Sequence, residues 1–312
     1  MIETFVSLVQ TLIMILVAPL ITGILMKLKA KMQRRKGNSI FQPYRYLIKL
    51  FRKDETISED SSWLFRLIPY VCMGCMILLA FMVPFIFTGV LAPYGDLIAL
   101  VYIFTMYRFM MVLGGLEGGS VFGGMGSSRE MMMSVLIEPA LLLSMTVLAG
   151  LTKAGTAIST IPQALLDMGV AALTPALILA AASFFITLLA ENARIPFDNP
   201  STHLELTMVH EGMLIEYSGR GLGMMEFSSM LRLTVFMVML SALFFPWGIS
   251  TEATLTSLFI SSVTMMIKLL ALTFSIAVVE SYLAKYRLFR LPNMLTASFA
   301  LSFLAMISLY IL

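Results

Sequence analysis

Charge and cysteine are both scarce in this chain. Only 12% of its 312 residues are Asp, Glu, Lys or Arg, about half the share found in a soluble domain, whereas 59% are hydrophobic and the mean hydropathy is +0.92. That balance excludes a water-soluble globular domain, and no nucleic-acid partner is expected. The two cysteines, Cys72 and Cys75, stand one turn apart in an apolar stretch. With no further thiol they complete neither a four-sulfur metal set nor a disulfide framework, so packing is their expected role. Neither a dinucleotide glycine fingerprint nor a Walker lysine is present. No cofactor or metal is expected within this chain.

What the chain does have is long apolar runs. A hydrocarbon core of about 30 Å needs roughly 20 apolar residues per helix, and eight runs qualify, near 4–26, 64–91, 97–115, 131–152, 172–192, 229–248, 255–280 and 293–312. The expected fold is all-α, one polytopic membrane domain over 1–312, with the first run retained as a helix rather than cleaved as a signal. Of 21 Lys and Arg, eleven lie between Lys27 and Arg66. Seven more (Arg129, Arg194, Arg220, Arg232, Lys285, Arg287, Arg290) are assigned to the same side, and Lys153 alone lies opposite. The positive-inside rule makes the loops at about 27–63, 116–130, 193–228 and 281–292 cytoplasmic, with both termini on the outer side of the cell (inner) membrane.

Ionisable groups at a bilayer are expensive and are usually kept for function. They gather in Glu191–Gly219, ENARIPFDNPSTHLELTMVHEGMLIEYSG, which holds Glu191, Asp198, Glu205, Glu211, Glu216 and both histidines, His203 and His210. Helical spacing would put Glu205 and Glu216 on one face. Neighbouring carboxylates and imidazoles suit a proton relay. Among the charges inside the apolar runs, Arg108, Glu138, Lys268 and Glu280 stand out. Glu138 either pairs with a cation such as Arg108 or takes up protons, and Lys268 either snorkels or pairs. Residues 114–126 contain seven glycines, which favours an irregular loop of close backbone approach. Between Lys27 and Glu55 a basic neck precedes an amphipathic segment, with Tyr44, Leu47, Ile48 and Phe51 on one side and Arg45, Lys49 and Arg52 on the other. A lipid-surface helix and a docking surface for a soluble partner both fit that segment.

Three stretches, MQRRKGNSIFQPYRYLIKLFRK, GGLEGGSVFGGMGSSRE with IEP at 137–139, and ENARIPFD with EYSG at 216–219, resemble the complex I subunit 1/H family. Within it the chain looks closer to the membrane subunit of group 4 energy-converting nickel-iron hydrogenases and formate hydrogenlyases. The likeness spans essentially the whole length. It departs where complex I subunits carry alternating glutamates: Ser201 and His203 stand at the first two acidic places, Glu205 keeps the third, and extra residues near His210 and Glu211 lengthen the passage.

The resemblance implies a non-catalytic subunit of an oxidoreductase complex that couples electron transfer to proton or sodium translocation. Glu191, Asp198, Glu205 and Glu216 match acids linking redox site and ion path, Glu138 matches a transmembrane carboxylate of the hydrogenase branch, and Arg34 and Arg35 match the neck near a docked arm, with Arg45 and Arg194 added as docking candidates. Implied partners are hydrogenase-like large and small subunits, an iron-sulfur subunit and antiporter-like membrane subunits, the iron-sulfur clusters and nickel-iron centre residing in those partners. A quinone-chamber subunit of an NADH- or ferredoxin-driven enzyme, a free-standing secondary ion transporter and a plain anchor are the alternatives.

Overall fold

A computed structural model describes residues 2–58, 61–88, 95–199, 208–250 and 254–311. Among these, seven helices are long and apolar enough to cross a membrane: α1 (Ile2–Met32), α3 (Trp63–Met82), α4 (Leu97–Glu117), α5 (Val121–Thr152), α9 (Gly219–Met239, continued by a π turn over Leu240–Phe244), α10 (Leu255–Tyr282) and α11 (Leu291–Ile311). The eighth expected span is α7 (Pro175–Glu191), of only 17 residues. Three short helices complete the set: α2 (Gln42–Phe51), α6 (Thr160–Met168) and α8 (His210–Leu214). The chain is a polytopic, all-helical membrane protein.

Polar side chains start these helices by accepting the first free N–H groups. Ser62 takes that of Leu64 at 3.1 Å, Asp96 that of Ile98 at 3.0 Å, Ser120 that of Gly123 at 3.0 Å and Thr174 that of Leu177 at 3.3 Å. Helix α9 lies innermost, its apolar window 89% buried, while α10 and α11 flank the body at 28% and 22%. α11 packs on α5 and α7, α4 on α5 and α3, α3 on α9, and α1 on α10 and α9. Serines join α7 to α11 reciprocally: Ser183 Oγ donates to the Ser298 carbonyl at 2.8 Å and Ser298 Oγ to the Ser183 carbonyl at 3.1 Å.

The loops meet on two faces. On one, Ser218 Oγ accepts from the Thr56 amide at 2.8 Å and donates to the Thr56 carbonyl at 2.7 Å, and Lys285 reaches Asp198 at 2.6 Å. On the other, Asp96 bridges to Ala157 and Phe87 to Ser250. The first is the basic face.

Several boundaries differ from the sequence-based expectation. α3 ends at Met82 rather than near 91, because Pro84 cannot continue the helical hydrogen bonding, and the chain runs on irregularly to Thr88. The glycine-rich stretch is no irregular loop. α4 continues to Glu117 and α5 already begins at Val121, leaving Gly118–Ser120 as the turn, so 121–130 is helix and not part of a loop. Its glycines serve close approach between helices: a Cβ on Gly126 would lie 2.7 Å from the Val209 carbonyl, at the start of α8. α2 forms as expected but is rotated from the anticipated face. Pro43, Leu47 and Leu50 are buried while Ile48 and Phe51 stay exposed, with Leu50 packed close over Gly223 of α9.

Gly23 of α1 lies directly against the Ile40 carbonyl of the neck. Gly23→Ala is expected to lose roughly 1–3 kcal/mol through overpacking, whereas Gly74→Ala, with nothing within 4 Å, should gain up to about 1 kcal/mol from helix propensity. Thermal unfolding of both variants in one detergent checks the pair.

Candidate functional site

A 17-residue helix is about 25 Å long, shorter than the layer it crosses. The segment after α7 therefore folds back into the body instead of spreading over the surface. From Glu191 to Asp198 every residue except Arg194 is buried. Irregular backbone at such depth requires protein partners for its polar groups, and Asp198 supplies them. Its carboxylate accepts from the amides of Asn199 at 2.8 Å, Val209 at 3.2 Å and His210 at 3.3 Å, besides the Lys285 ion pair. Asp198 is thus the pin that closes the excursion between the two described ends at 199 and 208.

The recessed end of α7 delivers Glu191 to Arg108. That guanidinium, on α4, meets three carboxylates: Glu191 through Nη2, Glu138 through Nη1 at 3.1 Å and Glu130 through Nε at 3.3 Å. The Glu138 contact has hydrogen-bond geometry and the other two are charge contacts. Exposure separates the acids. The Arg108 and Glu191 side chains are each 3% exposed and Glu138 is 34% exposed, so Glu138 is where the cluster opens outward from the chain. Glu130 and Glu138 lie eight residues apart, about two turns, and so reach the same cation.

A second network crosses from α1 to α10. Glu280, buried, is bridged by Lys29 at 3.0 Å and by Arg194 at 3.5 Å. Between α1, α2 and α9 lies a cavity of about 480 Å³, whose wall includes Tyr46, Asn192, Arg194, His210, Glu211 and Glu226. Three buried polar atoms of this wall, Asn192 Oδ1, Arg194 Nε and His210 Nε2, have no hydrogen-bond partner among the described residues. Burial, then the charges of Arg232 and Arg194, holds the His210 imidazole well below its ordinary value of 6.5. Burial, then the charges of Glu226 and Glu211, pushes the Tyr46 phenol above its usual value.

Of the residues singled out in the sequence, Arg108, Glu138 and Glu191 come together in one cluster. Asp198 and His210 share a backbone contact, and Arg194, Glu211 and His210 share the cavity wall. Glu205 and His203 lie outside the described residues, and the helix expected to carry Glu205 with Glu216 is described only from His210 to Leu214. Glu216 is exposed on the basic face, as are Arg34, Arg35 and Arg45. Arg194, a docking candidate, turns inward to Glu280. Among the described residues Lys268 meets no carboxylate. Its amine donates to the Phe245 carbonyl at 2.5 Å and to that of Trp247, capping the end of the α9 π turn, where a cation suits the exposed carbonyls.

Three residues belong to the site without having been candidates for it: Glu130, Glu226 and Arg232. Arg232 is 2% exposed, stacks its guanidinium 5.0 Å from the Tyr107 ring centre and leaves Nε and Nη2 without hydrogen bonds. Glu130 had a sequence signal, its two-turn offset from Glu138, and Arg232 had one in its position within an apolar run. Among the described residues no three His, Cys, Asp or Glu side chains gather as a metal set.

Removing the shared cation strands three acids. Arg108→Leu is expected to cost roughly 3–5 kcal/mol, the penalty for an uncompensated buried charge, and Glu138→Gln clearly less, since Glu138 is the partly exposed partner; chemical denaturation in detergent measures both. His210 gives a pH signature. The folded state keeps it neutral while the unfolded chain protonates near 6.5, so its contribution is present above that value and is lost as pH falls through the depressed folded value. His210→Gln should flatten the fall in unfolding free energy below pH 6.5.

A family model described as NADH dehydrogenase matches residues 5–311. Formate hydrogenlyase subunit 4 of Escherichia coli K12 is 36% identical over 303 residues, 97% of this chain and 97% of that protein. Hydrogenase-4 component C of the same organism is 37% identical over 300 residues, 96% and 93% of the two chains. Among solved structures, a chain of the membrane-bound sulfane sulfur reductase, an archaeal respiratory membrane complex, superposes with a TM-score of 0.83 at 21% identity, covering 97% of this chain and 98% of that one. With a full-length family match, two relatives above one third identity and the same fold, the chain belongs to the NADH dehydrogenase family that comprises complex I subunit 1/H and the corresponding hydrogenase subunits.

Proposed function

We propose that this chain is the proximal membrane subunit of a hydrogenase-like complex, anchoring a redox arm on its basic face and linking electron transfer there to movement of protons or sodium ions. The carrying observation is a set of charges in two groups: Asp198 with Lys285 near that face, and the Arg108 cluster of Glu191, Glu130 and the partly exposed Glu138 on α4, α5 and α7. Three carboxylates gathered on one guanidinium would let the cluster take part in passing protons. In a poorly screened interior a change of charge at the face is felt by groups several ångströms inward. The exposed Arg34, Arg35 and Arg45 would receive the arm, whose partner subunits would carry the iron-sulfur clusters and nickel-iron centre. Glu138 would hand ions to antiporter-like membrane subunits. The basic face would be cytoplasmic, with both termini outside the cell membrane.

The 480 Å³ cavity supports a second reading, a quinone-binding subunit of a complex I-type enzyme, because it opens between helices and joins apolar walls to buried polar atoms without hydrogen bonds among the described residues. The two are separated by what co-purifies: a nickel-iron large subunit supports the first, and a quinone-reducing arm whose turnover saturates with added quinone supports the second.

In complexes reconstituted into sealed vesicles, Glu138→Gln and Glu191→Gln are expected to leave electron transfer by the arm to soluble acceptors intact. Ion movement should fall about 10²-fold or more, the lower range for losing a positioned proton-transfer group. Undiminished ion movement with both changes overturns the proposed route.

A further inference from the structure

On the basic face, a second cavity of about 290 Å³ lies beside the Asp198–Lys285 pair, between the α10–α11 connection, the first part of α5 and the buried loop. Its cations are Arg129, Lys285 and Arg287, and its walls include Phe197, Tyr286 and Leu291. Lys285 is spoken for by Asp198 at 2.6 Å. Arg129 donates only to the Met208 carbonyl at 2.7 Å, and among the described residues neither Arg129 nor Arg287 has a carboxylate within ion-pair distance. Arg129 is half-buried, and a cation withdrawn from water without an anion is costly. Leu291 opens α11, so the positive end of a 21-residue helix also borders the cavity. Apart from the neighbouring Asp198, every electrostatic feature here asks for negative charge.

The surroundings specify where that charge comes from. The connection Tyr282–Arg290, YLAKYRLFR, alternates cations with large apolar side chains, and Tyr282 and Phe289 are 85% and 90% exposed. Tyrosine and phenylalanine interleaved with Lys and Arg at the end of a spanning helix are the composition of a headgroup boundary. Tyr286 is held in place, its amide donating to the Pro196 carbonyl at 3.0 Å, so the cationic rim is fixed to the buried loop rather than trailing in water.

We propose that this cavity binds the phosphodiester headgroup of an anionic phospholipid from the adjoining leaflet, with Arg129 and Arg287 on the phosphate and the exposed aromatics against its acyl chains. The proposal stands whether or not the hydrogenase reading holds, because it concerns lipid chemistry and not the redox arm. It also gives Asp198 and Lys285 a second neighbour: a bound phosphate would sit beside the ion pair that closes the buried loop.

The test uses the complex containing the full chain, delipidated in detergent and returned to phosphatidylglycerol or phosphatidylcholine, with bound lipid counted by native mass spectrometry. Phosphatidylglycerol should be retained in preference to phosphatidylcholine. Retention should weaken about fivefold in the exposed variant Arg287→Gln and roughly thirtyfold in Arg129→Gln/Arg287→Gln, the equivalent of about 1 kcal/mol per interfacial cation. Arg287→Gln changes an exposed side chain with no partner among the described residues, so it keeps the test valid if the double variant fails to fold. Equal retention of the two lipids, or unchanged retention in Arg287→Gln, overturns the proposal and leaves the cavity to an acidic segment of a partner subunit. Displacement of phosphatidylglycerol by millimolar inorganic phosphate, with equal thermal stabilisation by phosphate alone, would assign a soluble anion and overturn it as well.

Discussion

Arg108 cannot be solvated where it lies, and the arrangement of α4, α5 and α7 answers that requirement. A guanidinium has five donors in a fixed fork, and here the fork is met from three directions by two helices. Glu130 and Glu138 come from one face of α5, two turns apart, which sets the register of that helix against α4. Glu191 arrives from the last turn of α7, which sets how deep that helix may end. Once α7 stops short, the following residues must turn inward, and their backbone needs acceptors and donors inside the body. The Asp198 carboxylate provides three of these contacts and borrows Lys285 from the far side of α10. One buried cation thereby propagates into the path of the loop that carries Arg194, Asp198 and His210.

Charges elsewhere are disposed so that each buried acid has a named cation, and the exceptions are informative. Glu280 has Lys29 and Arg194, and Asp198 has Lys285. Arg232 has an aromatic face in place of an anion. Arg129 and Arg287 have none among the described residues, and both lie at the boundary rather than in the centre. Lys268, on the opposite side, neutralises backbone carbonyls freed where the α9 π turn ends. The sorting follows depth: carboxylate partners in the body, carbonyls at a helix end, open cations at the rim.

Much of the fold was legible from composition, because twenty apolar residues in a row admit few structures. Seven of the eight expected spans, the end of α7 at Glu191, the amphipathic α2 and the pairing of Arg108 with Glu138 were all accessible to hydropathy, proline placement and the cost of buried charge. Lengths were not. Nothing in the glycine pattern around Gly118 distinguishes a loop from two helices pressed together, since both need missing side chains, and only the contacts of Gly126 with α8 decide it. The face that α2 buries likewise packs against Gly223 of a helix far away in sequence. For the site, the sequence pointed to the Arg108–Glu138 pair alone, because the cations of Glu280 and Asp198 lie more than eighty residues away along the chain. Glu130 and Glu226 escaped because each sits at a position where an acid also reads as the polar border of a helix. Lys268 was ambiguous for a related reason: its partners are backbone atoms, which every sequence has everywhere.

The reciprocal serine bonds between α7 and α11 bear on how a signal could travel through this body. Ser183 and Ser298 exchange hydrogen bonds with each other's carbonyls at mid-helix, and neither group titrates. Whatever happens to the charge on Glu191, two turns further along α7, the rod beneath it stays bolted to its neighbour. For the proposed coupling, that favours a redistribution of electric field and protons among nearly stationary side chains over sliding of α7, a capacitor rather than a piston.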